Sequence, residues 1–196
     1  VGCRVVAPVK NRNIKGIVIE ETEESEGNFK VYPIKARIDI EPICSYKEFE
    51  LAKWMSKYYH SSFGESLFAS LPAGNPAKIE KKAKPIPAKQ KPYLKLNEEQ
   101  ENVLKKISES IESKNGKTFL LHGVTGSGKT EIYLQAIKKV VDMGKQAIVI
   151  LPEISLTPQT IKRFAERFEG KIAVLHSKLS PTSKYRYWQM IKKNEI

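Results

Sequence analysis

The sequence predicts an α/β protein in which a parallel sheet with flanking helices follows a small β-rich domain. Two observations predict these parts: residues 1–73 begin with short segments rich in β-branched residues, and residues 96–196 alternate helical and strand-like segments. That alternation favours parallel strands joined by right-handed crossovers. Residues 74–95, rich in lysine and proline, are predicted to be a basic linker between the two domains.

The first region predicts a small sheet and one helix. Residues 4–8 and 16–19 are strand-like and are separated by a polar turn, and residues 34–40 alternate apolar and polar side chains. The acidic residues 20–26 predict an exposed loop. Ser45, with Glu48 three residues later, has the capping-box pattern that begins a helix.

The third region predicts four helices and three parallel strands. Helices are expected at about residues 98–113, from the glycine-rich loop to about 143, from Thr157 with Pro158 at its first position, and from Ser180 with Pro181. The strands are expected between them, at residues 118–122, 147–151 and 171–175.

Composition restricts the class of protein. The 196 residues carry a net charge of +12, and residues 78–95 alone hold seven lysines and one glutamate. A basic surplus favours nucleic acid through counterion release. No apolar run is long enough to span a membrane, and two cysteines are too few for a disulfide framework, so we expect a cytoplasmic protein.

A glycine-rich loop carries the most specific signal. The motif follows a predicted strand and precedes a predicted helix, which is the context of an ATP-type P-loop. In such a loop the backbone N–H groups bind phosphate oxygens. Lys129 would reach the β- and γ-phosphates of ATP, and the Thr130 hydroxyl would hold Mg²⁺. The predicted nucleotide-binding residues are Gly123, Val124, Thr125, Gly126, Ser127, Gly128, Lys129 and Thr130.

Other residues extend the predicted site. Gln100 lies upstream of the loop, and its amide could read adenine by donating and accepting hydrogen bonds. Ser155 and Thr157 open a helix and could bind a DNA phosphate. His176 and Ser177 follow the third predicted strand, and Arg4 is a further candidate for DNA contact. The alternative for Gln100 is an ordinary helix start, and the alternative for His176 is a satisfied surface or core histidine.

Several segments together resemble one family. Three segments resemble, in content and order, the P-loop and the next two sequence blocks of the primosomal replication-restart helicases, the PriA family. They are residues 122–137, 144–159 and 174–177. Residues 2–5, 16–18, 58–59, 64–65, 67–68 and 71–72 resemble the N-terminal domain of that family. The chain is therefore identified as the N-terminal part of such a helicase.

The resemblance implies a fold and an activity. It implies that residues 1–73 form a DNA 3′-end-binding domain that lacks its first strand, and that residues 96–196 form an incomplete first RecA-like lobe of superfamily 2. It also implies an ATP-dependent 3′-to-5′ DNA helicase of replication restart and primosome assembly at stalled forks. The chain alone is expected to have little activity.

The implied cofactors are ATP and Mg²⁺, with Zn²⁺ only in the family's region beyond residue 196. The implied partners are forked DNA, single-stranded DNA, DNA 3′ ends, single-strand-binding protein and other primosome proteins. We expect a monomer in the bacterial cytoplasm, associated with the nucleoid and not with a membrane.

The sequence also departs from the family. Residues 74–95 are too short for the winged-helix domain usual there, and Pro8, Val9 and Lys10 stand where the family has Pro-Phe-Gly. Two other functions stay open: a non-catalytic fork-DNA-binding module with a regulatory nucleotide site, and a small-molecule kinase with the same loop. The seven lysines of the linker would either track DNA phosphates or only keep a spacer solvated; these are Lys78, Lys81, Lys82, Lys84, Lys89, Lys91 and Lys95.

Overall fold

The computed structural model describes residues 1–23, 30–74, 89–113, 115–152, 155–168 and 170–196. Within these residues it has three strands and six helices. They are β1 (Arg4–Val9), β2 (Arg12–Ile17), β3 (Ala36–Arg37), α1 (Tyr46–Tyr59), α2 (Phe63–Ala69), α3 (Glu98–Glu112), α4 (Lys129–Asp142), α5 (Pro158–Ala165) and α6 (Pro181–Lys192).

The described residues divide into two compact units. One comprises those of Val1–Ala83 together with Ser177–Met190, and the other those of Lys84–His176 together with Ile191–Ile196. Most of the predicted linker, residues 75–88, lies outside the described residues, as do residues 24–26 of the predicted acidic loop.

The sheet of the first unit is antiparallel, with strand order β2-β1-β3. Val9 pairs with Arg12, which leaves the two-residue turn Lys10–Asn11, and Lys10 has a positive φ of 53°. Because this tight turn sets the register, the polar residues from Arg12 onward join the strand instead of the predicted longer turn. The strand predicted at residues 34–40 is reduced to Ala36–Arg37.

The core of the first unit is formed by residues of α1, α2 and α6 and of the segments beside them. Ile43 and Ala52 are fully buried, with Leu67 and Leu71 beside them. Tyr185 of α6 completes the cluster at 2% exposure. The helix α6 thus contributes an aromatic side chain to a core otherwise made of residues from the first 71 positions.

Helix ends follow the capping chemistry of the sequence. Ser45 accepts a hydrogen bond from the Lys47 N–H, Glu48 accepts one from the Ser45 N–H, and Thr157 accepts one from the Thr160 N–H. These contacts confirm the predicted starts of α1 and α5. Helix α2 was not predicted, although Ser62 and Glu65 form a second capping box that is visible in the sequence.

The predicted parallel sheet is not shown by the structure. Residues 118–122, 147–151 and 171–175 carry no strand within the part of the chain that the structure describes. Leu120, Ile148 and Ile150 remain 92%, 89% and 89% exposed. A parallel strand requires hydrogen-bonded neighbours and covered faces, and an apolar pattern alone supplies neither. The described residues therefore form a mixed fold of helices and one small antiparallel sheet.

Candidate nucleotide-binding site

The glycine-rich loop leads directly into α4. Gly126 and Gly128 have φ values of 85° and 83°, a conformation that favours glycine. A Cβ added at Gly123 would lie 2.7 Å from Ser127 Oγ, and one at Gly128 would overlap the Gln100 side chain. The loop is thus a tight backbone cradle that side chains would fill, which fits the approach of a phosphate group.

Lys129 begins α4 and folds back over the loop. Its Nζ donates hydrogen bonds to the Gly123 carbonyl oxygen at 2.6 Å and to the Val124 carbonyl oxygen at 2.7 Å, and it lies 3.5 Å from Ser127 Oγ. The ammonium group is therefore held at the mouth of the loop. These contacts use all three donors of the ammonium group, so an anion bound there would have to replace at least one of them.

Thr130 is the second residue of α4 and is half-buried. Among the described residues, no group of three His, Cys, Asp or Glu side chains could hold a metal ion. The residues present suit a magnesium ion that arrives with nucleotide phosphates, since Mg²⁺ in such sites takes few protein ligands and several water and phosphate oxygens. A role for Thr130 as that ligand stays a prediction.

Gln100 contacts the loop directly. Its Nε2 donates to the Ser127 carbonyl oxygen at 2.9 Å, and its Oε1 accepts from the Asn97 N–H at 2.9 Å. Asn97 in turn accepts from the Gln100 N–H at 2.8 Å, so the two residues cap α3 reciprocally. Adenine recognition by Gln100 stays a prediction, and the structure adds that this side chain joins α3 to the P-loop.

The five candidate DNA contacts differ in their surroundings. Arg4 is only 5% exposed, and it donates from Nε and Nη2 to the Asp39 carboxylate and from Nη1 to the Pro72 carbonyl oxygen. Its surroundings therefore suit a structural ion pair better than contact with DNA. Ser155 and Thr157 are exposed near α5, with Thr157 engaged as the helix cap, whereas His176 is half-buried and Ser177 exposed.

Sequence reasoning missed a buried polar cluster beside the loop. Glu131 follows Thr130 and is 7% exposed. It forms an ion pair with Arg167 at 3.3 Å, in which both side chains are 9% exposed. The Arg167 guanidinium also lies 5.1 Å from the centre of the Tyr93 ring, and burial raises the pKa of Tyr93. A local pattern gives no signal for this cluster, because the partners are 36 residues apart.

Two family models match the chain. Residues 1–72 match the model described as 3′ DNA-binding domain, 3′BD, and residues 93–195 match the model described as Type III restriction enzyme, res subunit. The second match covers the P-loop, α3 and the cluster around Glu131. The residues between the matches, 73–92, include most of the lysine-rich segment.

Curated relatives cover the chain from end to end. The replication restart protein PriA of Treponema pallidum is 34% identical over 98% of this chain, and that of Borreliella burgdorferi is 36% identical over 92%. The Bacillus subtilis protein of the same name is 50% identical over 61% of this chain. The alignments cover 30%, 28% and 14% of the three relatives, so the chain spans less than a third of their length.

Proposed function

Since the chain belongs to the PriA family of replication restart proteins, we propose that it supplies the DNA-binding and nucleotide-binding parts of an ATP-dependent 3′-to-5′ DNA helicase. The proposed role is replication restart and primosome assembly at stalled forks in the bacterial cytoplasm. The observation that carries the proposal is the P-loop, in which Lys129 Nζ sits over the carbonyl oxygens of Gly123 and Val124.

The roles of the loop residues follow from their placement. The backbone N–H groups from Gly123 to Gly128 would bind phosphate oxygens, helped by the positive end of the α4 dipole. Lys129 would exchange its carbonyl contacts for the β- and γ-phosphates, and Thr130 would hold the accompanying Mg²⁺. When bound, Mg²⁺ would neutralise charge on the phosphate oxygens while the γ-phosphoryl group passes from ADP to water.

The two regions matched by family models are proposed to have different functions. We assign DNA 3′-end binding to residues 1–72, with forked and single-stranded DNA as the wider substrates. We assign ATP binding to residues 93–195. Single-strand-binding protein and other primosome proteins are proposed partners of the full-length protein.

A measurement of ATP turnover tests this function. In the full-length protein, forked DNA should stimulate ATP hydrolysis, and Lys129→Ala should reduce the stimulated rate by about 100-fold or more, because a charge-assisted phosphate contact is lost from the transition state. The DNA dissociation constant should change little. Lys138→Ala is the matched control: Lys138 lies on the same helix but pairs with Asp142 on the surface, so its rate should stay near wild type.

The same assay separates the alternative functions. A non-catalytic fork-binding module would bind DNA and nucleotide, but its ATP turnover would not respond to DNA. A small-molecule kinase would hydrolyse or transfer phosphate without any effect of DNA. Either outcome with the wild-type protein would contradict the helicase proposal.

A further inference from the structure

Glu131 lies next to the predicted phosphate and metal residues but is turned into the protein. An acidic residue in the first turn of a helix usually stays in solvent, where it interacts with the helix dipole. Glu131 is instead 7% exposed. Its Oε1 accepts hydrogen bonds from the Leu94 N–H at 2.9 Å and from Gln135 Nε2 at 3.0 Å, and its Oε2 faces Arg167 Nη2 at 3.3 Å.

The partner of Glu131 is equally enclosed. Arg167 donates from Nη1 to the Lys91 carbonyl oxygen at 2.8 Å, and its guanidinium covers the Tyr93 ring. Burying two opposite charges gains little net stability, because their desolvation offsets their attraction. A buried pair of this kind therefore contributes chiefly to the geometry of what it joins.

The pair joins α4 to an extended segment, residues 91–97, which we call the strap. The strap is fixed at its start by Lys91, whose N–H donates to the Glu166 carbonyl oxygen at 2.9 Å and whose Nζ pairs with the Glu166 carboxylate at 2.9 Å. In the middle, the Leu94 carbonyl oxygen accepts from Gln135 Nε2 at 2.9 Å. At its end, Asn97 caps α3, the helix whose Gln100 contacts the P-loop.

We propose that Glu131 and Arg167 are positioning residues that tie the first turn of α4 to the strap and thereby fix Lys129 and Thr130 for phosphate and Mg²⁺. The inference rests on the proposed nucleotide binding. The strap holds α4 through Glu131 on one side and the loop at Ser127 through Gln100 on the other. Within the strap, the contacts that reach the phosphate site are those of Leu94 with Glu131 and of Asn97 with α3, whereas the pair between Lys91 and Glu166 lies outside them.

Two substitutions of buried carboxylates separate positioning from stability. Glu131→Gln removes the charge that faces Arg167, whereas Glu166→Gln removes the charge that anchors Lys91. Among the described residues, the Glu166 carboxylate forms its ion pair with Lys91 and not with α4. Glu166 is 8% exposed, close to the 7% of Glu131, so the two changes are matched in burial. Both should lower the melting temperature of the full-length protein. Only Glu131→Gln should affect the nucleotide site.

The readouts are the dissociation constant of a fluorescent ADP analogue with Mg²⁺ and the Mg²⁺ concentration for half-maximal ATP hydrolysis. For Glu131→Gln we expect both to rise by about fivefold or more, an effect of the size of one lost hydrogen bond. For Glu166→Gln we expect less than about a twofold change, because its contacts stop at the start of the strap. A loss of folded protein alone would lower the maximal rate without moving either quantity.

Arg167→Lys is the second variant, which keeps the charge but not the two-pronged contact with Glu131 and Lys91. It should also raise the dissociation constant of the ADP analogue and the Mg²⁺ concentration for half-maximal hydrolysis. The inference is overturned if Glu131→Gln and Arg167→Lys bind the ADP analogue and Mg²⁺ like wild type, or if Glu166→Gln shifts both quantities equally. A wild-type protein that binds no nucleotide would overturn the proposed function itself, a result distinguishable from either of these.

Discussion

Several charged residues in this protein form buried structural contacts that cannot be inferred from the residue type. The sequence predicted the P-loop residues because the motif depends on local spacing, and the glycine conformations at Gly126 and Gly128 suit it. It did not predict the burial of Glu131 or Arg4. Which charged residues become buried depends on partners distant in the chain: Arg4 meets Asp39, 35 positions away, and Glu131 meets Arg167. Sequence periodicity contains no information on such pairs.

Gln100 should affect nucleotide choice. We expect Gln100→Ala to weaken binding of ATP more than binding of GTP, because an amide that can both donate and accept is lost beside the base. The measurement is the ratio of dissociation constants for the two nucleotides in the full-length protein.

Asn97→Ala serves as the control for Gln100, since it removes the cap of α3 and should cost about 0.5–2 kcal/mol of stability. It leaves the contact from Gln100 to Ser127 possible, so the ATP-to-GTP ratio should stay near wild type. An equal loss of ATP and GTP binding in Gln100→Ala would argue against adenine recognition.

Asp39 should be essential to the first unit. It is 1% exposed and receives two hydrogen bonds from the Arg4 guanidinium, at 2.9 and 2.7 Å, and one from the Arg4 N–H at 2.8 Å. Asp39→Asn should leave a buried arginine without its counter-charge, at a cost of about 3–5 kcal/mol in the free energy of unfolding. Chemical denaturation measures this cost. A loss below about 1 kcal/mol, the scale of a surface ion pair, would contradict the assignment of Arg4 to a structural pair.

At the scale of elements, most of the helices were predicted correctly, whereas the structure does not show the predicted parallel sheet. Capping residues and amphipathic spacing are local, so α1, α3, α4 and α5 begin at or within one residue of the predicted positions. Strand pairing is non-local, and the apolar residues 118–122, 147–151 and 171–175 carry only a preference for a buried extended segment. The hairpin β1–β2 forms because its strands are adjacent in the chain and need only a two-residue turn.

The lysine-rich linker gives an electrostatic prediction. Lys91 is already paired with Glu166, so the lysines proposed to meet DNA phosphates are the remaining six: Lys78, Lys81, Lys82, Lys84, Lys89 and Lys95. If about four of them meet duplex phosphates, replacing all six by glutamine should reduce the slope of log K against log salt by roughly 3 to 4. The measurement is fork-DNA affinity over a salt series with the full-length protein.

Lys91→Gln alone is the control for the linker, and it should change the salt slope by less than about one. Coincident slopes for wild type and the six-lysine variant would mean that the segment is a spacer. The DNA contacts would then lie in the two regions that the family models match.

At the scale of the whole molecule, two independent regions support one function. Residues 1–72 match a 3′ DNA-binding domain, and residues 93–195, which contain the P-loop motif, match the Type III restriction enzyme res subunit model. No helix among the described residues is long and apolar enough to cross a membrane.

The net charge of +12 is distributed unevenly along the chain: residues 1–77 are neutral, and the surplus lies from residue 78 onward. The charge surplus therefore favours DNA contact by the linker and the nucleotide-binding region, whereas the matched DNA-binding domain has no net charge of its own.

The most direct test of the central claim is strand separation by the full-length protein on partial duplexes that differ only in the polarity of their single-stranded tail. A 3′-to-5′ helicase loads on the strand along which it moves, so ATP should allow separation of the duplex with a 3′ tail and leave the duplex with a 5′ tail intact. Lys129→Ala should abolish separation of the duplex with the 3′ tail. Efficient separation from the 5′ tail, or no ATP-dependent separation of either duplex, would contradict the proposed function.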